Sequence, residues 1–131
     1  MKYEFAYDLQ RKAEEISKIL FFHVKIERIK CFRSYGTSSK GTIARCHALE
    51  KIMQLATGIS PFYVLEFLSE RFDELNEEEK TKVIIHELMH IPKSFGGGFK
   101  HHNLVTDKKV NEMYKRYKKV KDEREKYSHT L

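Results

Sequence analysis

Cysteine is nearly absent, with two in 131 residues, Cys31 and Cys46. That excludes a disulfide framework and a cysteine-only zinc cluster, and it makes a reducing cytoplasm the expected compartment. Proline is equally rare at two, and glycine numbers six, so collagen-like and Pro-rich low-complexity chains are excluded as well. No apolar run approaches the roughly 20 residues of a membrane-spanning helix, so no membrane partner is expected. The opening residues, Met1 to Asp8, are broken by charge and lack the apolar centre of a secretory signal. Gln and Asn are scarce, two and three, against abundant Lys and Glu, a balance met in heat-adapted proteins. Internal repeats and Ser/Gly linkers are missing too, so a single domain over residues 1–131 is expected.

Hydrophobic residues make up 40% and charged residues 34%, enough for one modest core. The formal charge is +6, unevenly spread. Residues 21–60 carry seven bases against two acids and 107–127 carry nine against five, whereas 61–106 reverse the balance with five against eight.

Phe5, Leu9, Ala13, Ile16 and Leu20 recur at helical spacing and predict a helix over about 3–20. Residues 21–32 alternate apolar and charged, predicting one or two strands with an irregularity near Glu27-Arg28. The composition of 33–41 (RSYGTSSKG) reads as a loop. Leu49, Ile52, Met53 and Ala56 share a face of a helix predicted over about 45–57, with Gly58 as its stop. Phe62 to Leu68 is aromatic and β-branched enough for a strand. Asn76 followed by three glutamates is a helix start, with the helix running over about 77–91 to Pro92. A last basic helix is predicted over about 107–127, with Val110, Met113, Tyr117 and Val120 on its apolar stripe.

His86-Glu87-Leu88-Met89-His90 matches H-E-x-x-H. Residues four apart lie one turn above each other on a helix, so both imidazoles can reach one metal while Glu87 stands beside a metal-polarised water. There Glu87 can act as general base for hydrolysis. Five residues are short enough to match by chance, but the motif lies on a strongly capped helix that ends in a Gly/His-rich loop, SFGGGFKHHN. A catalytic zinc site needs a third protein ligand. The candidates are His101, His102 and Glu112; Lys93 and Gly96 stand where the metzincin extension needs Gly and His, so that class is excluded.

The run HELMHIPKSFGGGFKHH resembles the signature HELxHIPxxFxGGxxxH of a phage and archaeal metallopeptidase family. Arg33-Ser34, Ala44-Arg45 and Tyr63-Val-Leu-Glu66 are similar to further family positions, extending the likeness over about 24–104. The resemblance implies an α+β, zincin-like fold in which a small sheet packs on the H-E-x-x-H helix, distantly similar to SprT-like proteases. It implies one Zn2+ per chain and a peptide or protein substrate. On the family spacing the closing histidine is His102; position 101, often proline in the family, carries His.

Other residues carry weaker expectations. The strand at Phe62–Leu68 either lies along the cleft and pairs with an extended substrate or is an ordinary core strand. Arg33, Ser34 and Tyr63 are candidates for substrate binding. Cys31 and Cys46 are expected as buried small hydrophobes. The basic faces, with interleaved tyrosines, are candidates for nucleic acid. The function expected is zinc-dependent peptide hydrolysis, with His86, His90 and His102 on the metal and Glu87 as base. The alternative is a non-catalytic, metal-stabilised module that binds nucleic acid or protein.

Overall fold

The computed structural model describes residues 1–100 and 104–129, and it is α+β: a small mixed four-stranded sheet with five helices. The strands are β1 (Lys2–Phe5), β2 (Ile29–Tyr35), β3 (Ala44–Ala48) and β4 (Tyr63–Leu68), and the helices are α1 (Tyr7–Leu20), α2 (Lys51–Thr57), α3 (Ser69–Phe72), α4 (Glu77–Met89) and α5 (Asp107–His129). The sheet order is β1-β2-β4-β3, with β2 and β4 parallel and the two outer pairs antiparallel.

On β4, Tyr63, Leu65 and Phe67 point into a core shared with Leu9, Ala13 and Ile16 of α1, Ile84, Ile85 and Leu88 of α4, and Val110 and Tyr117 of α5. Each fully buried side chain of this kind stabilises the fold by about 1.5–3 kcal/mol. Gln10 is buried yet satisfied: its amide donates to the Ile29 carbonyl at 3.0 Å and accepts from the Cys31 N–H at 2.8 Å, fixing α1 to the start of β2. At α4 the Asn76 side chain accepts from the Glu79 N–H at 2.9 Å, and the three glutamates of the first turn favour its positive end. The α5 stripe docks as its spacing predicts, and the Tyr117 hydroxyl donates to Glu15 of α1 at 2.6 Å.

Four expectations change. The strand predicted from residue 21 begins only at Ile29, after a 3-10 turn at Ile26–Arg28. The N-terminal helix begins at Tyr7, because residues 2–5 pair with β2 and Phe5 stacks edge-on against Phe32 at 5.6 Å. Strand β2 continues through Arg33, Ser34 and Tyr35, which composition assigns to a loop, since β1 and β4 both offer it hydrogen-bonding partners. Residues 44–48 form a strand where a helix start is predicted, and α2 is confined to Lys51–Thr57. Its face is also inverted: Gln54 is buried, whereas Ile52 and Leu55 are 69% and 74% exposed. No helix among the described residues is long and apolar enough to cross a membrane.

Candidate metal centre

Helix α4 packs Ile84, Ile85 and Leu88 inward, and that orientation turns His86, Glu87 and His90 together toward β3 and the start of α5. One ligand atom from each of these three residues lies within 4.8 Å of the others. The two imidazole rings are 5.0 Å apart at their centroids and inclined by 68°.

The surroundings suit metal-binding chemistry. Burial lowers the pKa of His86, partly offset by the negative charge of Asp107, so its lone pair is available near neutrality. Glu87 is 7% exposed, and burial pushes its carboxyl up to about 7. Two imidazoles one helical turn apart beside a carboxyl group form a donor set that fits a divalent metal. Burial raises the Cys46 thiol well above its ordinary value, with the Glu87 charge adding to the effect, which keeps it protonated beside the cluster. Cys31 is wholly buried and its thiol is pushed up to about 12.

The glycine-rich loop returns to this centre. The Lys100 N–H donates to the His90 carbonyl at 3.0 Å, closing residues 91–99 into a loop at the end of α4. The Tyr63 hydroxyl holds the loop from beneath, accepting from the Gly97 N–H at 2.9 Å and donating to the Gly98 carbonyl at 2.8 Å. Gln54 adds a bond to the Gly96 carbonyl at 2.9 Å. Tyr63 and Gln54 are thus the supports that sequence reasoning missed in this role: Tyr63 read as a substrate contact and Gln54 as nothing. The residues expected as closing ligands, His101 and His102, lie outside the described residues. Glu112 is exposed on α5 and is not part of the three-residue cluster.

Arg33, Ser34 and Tyr63 line neither of the cavities that border Glu87. Arg33 is committed to Asp8, at 2.8 and 2.9 Å, and to Asp73, at 3.1 Å, joining β2 to α1 and to the segment after α3. Ser34 is fully buried, and Tyr63 spends its hydroxyl on the glycine loop. Strand β4 has β2 on one side and β3 on the other, so it is a core strand with no edge for a peptide; among the described residues, the unpaired edge beside the site belongs to β3.

An α+β chain with a His-Glu-His cluster on one helix has the outline of a metal-dependent hydrolase. The chain belongs to the family described as putative phage metallopeptidase, which matches residues 1–128. No curated protein matches it, and no solved structure does.

Proposed function

We propose that this chain is a zinc-dependent metallopeptidase, a single zincin-like domain over residues 1–131. The observation that carries this reading is the convergence of His86, Glu87 and His90 on one side of α4, with Glu87 buried among them. Family membership supports the activity class. His86 and His90 would hold one Zn2+, joined by His102, with His101 and Glu112 as the alternative third ligands. The return of Lys100 to the His90 carbonyl supports a closing histidine from this segment, since the chain resumes from beside α4.

When bound, zinc supplies a Lewis acid that polarises the attacking water and the scissile carbonyl. Glu87 does the proton work. Its carboxylate takes a proton from the water as the new C–O bond forms, and delivers it to the departing amide nitrogen as the C–N bond breaks. Burial makes Glu87 a stronger base than an exposed carboxylate and keeps bulk water from competing for it. His86 and His90 bind as neutral rings, a state that burial favours at His86.

Glu87→Gln tests this reading. The amide keeps the size of the side chain but cannot accept the proton, so zinc content is expected to stay at the wild-type level while peptide hydrolysis falls about a hundredfold to ten-thousandfold. Unchanged hydrolysis would remove Glu87 from its role. A wild type that holds zinc and binds a partner without hydrolysing any peptide would favour the non-catalytic module.

A further inference from the structure

Helices α1, α4 and α5 pack on one face of the sheet, the face that carries Tyr63, Leu65 and Phe67. The strand registers assemble the opposite face in rows. Lys30, Val64 and His47 stand side by side in one row, and Phe5, Phe32, Glu66 and Arg45 in the next. Tyr3 ends a third row with Ser34 and Leu68. The face reaches solvent: Tyr3 is 59% exposed, Lys30 and His47 are exposed, and Phe5, Phe32 and Val64 are half-buried. A cavity of about 310 Å3 opens there, lined by Tyr3, Phe32, His47, Val64 and Glu66.

A sheet face turned to water ordinarily alternates to polar residues. Here Tyr3, Phe5, Phe32 and Val64 take those positions, although the core lies on the other face. Phe5 packs edge-on against Phe32 at 5.6 Å and against Tyr7 at 4.6 Å. Bases stand around these rings. Lys30 is exposed, and at the start of β4 the Arg28 guanidinium lies 5.8 Å from the centre of the Phe62 ring. Arg28 donates to the carbonyls of Pro61, at 3.0 Å, and of Ser60, neutral groups that leave its charge in place. The one carboxylate among the strand residues of this face, Glu66, is 3% exposed and bonded to His47 at 2.7 Å. Arg45 lies 3.7 Å from its other oxygen and keeps 41% of its own side chain exposed.

We infer that this sheet face binds single-stranded nucleic acid, with bases stacked on Tyr3 and Phe32 and phosphates held by Lys30, Arg28 and Arg45. Exposed rings set among cations, over a flat surface, meet both halves of an unpaired nucleotide: the π-face of its base and the charge of its phosphate. An apolar protein partner would use the rings and leave the cations without a counterpart. A duplex would use the cations alone, since its bases are stacked on one another. Glu66 and His47 bond each other rather than a base edge, so tolerance of base sequence and of sugar follows.

The face is separate from the metal centre, and the inference stands apart from the metallopeptidase reading. Along β3, Cys46 lines a cavity beside Glu87 and His90, whereas His47 lines the one on the opposite side of the sheet. Both faces can therefore be occupied at once. The basic helix α5, which its composition made a candidate for the same ligand, is less suited. Its Tyr117 is 2% exposed with the hydroxyl on Glu15, and Lys118 and Lys121 pair with Asp122 and Glu15 at 3.4 and 3.5 Å.

The test uses the full chain and a fluorescein-labelled oligothymidylate of about fifteen nucleotides, with binding read by fluorescence anisotropy. A Kd on the order of 10 μM is expected at low salt, with a slope of log affinity against log salt of roughly −2. Tyr3→Ala is expected to weaken binding about tenfold, and Lys30→Gln to reduce the slope by about 0.7, both without moving the unfolding midpoint. Oligouridylate of the same length is expected to bind within about threefold of the DNA, and a duplex more weakly than either. No binding at low salt, a duplex bound as tightly as the single strand, or a larger preference for one sugar would overturn the inference. So would binding that survives Tyr3→Ala and Lys30→Gln but is lost in Lys118→Glu on α5. A chain that binds no oligonucleotide and instead self-associates, with Tyr3→Ala reversing that in sedimentation, would assign the face to a second copy and overturn it as well.

Discussion

Gly97 occupies φ +100°, in the left-handed region that favours glycine, and a Cβ built there would meet the Leu49 carbonyl and the Gln54 amide. The same two groups define the passage between α2 and the loop that returns to His90, so the backbone passes where no side chain fits. Gly97→Ala is expected to destabilise the fold by about 1–3 kcal/mol, read by denaturant unfolding, and to weaken metal retention in the folded fraction. An alanine variant with wild-type stability would contradict the role assigned to this glycine. At this scale the chemistry was legible: a capped helix carrying H-E-x-x-H orders its own histidines, because the four-residue spacing is a property of the helix alone. The supports were not. Nothing local in Tyr63 or Gln54 indicates that each reaches across the chain, 34 and 42 residues away, to the glycine loop.

The regular elements divide in the same way. Helices α4 and α5 announce themselves through caps and stripes, whereas β1, the second half of β2, and β3 exist because strand partners distant in sequence pair with them. The stretch from Arg45 onward has helical periodicity, yet its first residues complete the ladder with β4 and only Lys51–Thr57 become helix. Across the centre of this sheet, Glu66 is 3% exposed and accepts from or shares a proton with His47 at 2.7 Å, with Arg45 3.7 Å from its other oxygen. Burial alone would raise its pKa, but the nearby Ser34 hydroxyl, the hydrogen bond with His47 and the positive charge of His47 and Arg45 outweigh burial and hold it below the ordinary value. A depressed folded-state pKa stabilises the fold fully above about pH 4.5, and this contribution is lost as pH falls through the folded value. Glu66→Gln is therefore expected to cost about 1–3 kcal/mol at pH 7, and to cost progressively less as wild-type Glu66 becomes protonated in acid. Unfolding curves across pH 3–7 read this, and a pH-independent difference would contradict it.

For the molecule as a whole, the arrangement concentrates chemistry where the charge is least basic. The block 61–106, with five bases against eight acids, contains β4, α4 and the glycine loop, while the positive charge lies on the flanking segments. Helices α1 and α5 both pack against α4, and the cluster opens between β3 and the start of α5. All of this serves one claim, that His86 and His90 hold a metal for Glu87 to work beside. The most direct measurement is zinc per chain, by mass spectrometry of the metal after exhaustive dialysis, for the wild type and for His86→Ala, His90→Ala and His102→Ala. The account predicts one zinc per wild-type chain, lost from all three variants while each remains folded. A folded wild type that retains no zinc, or one whose zinc survives the loss of His86 and His90, would contradict it.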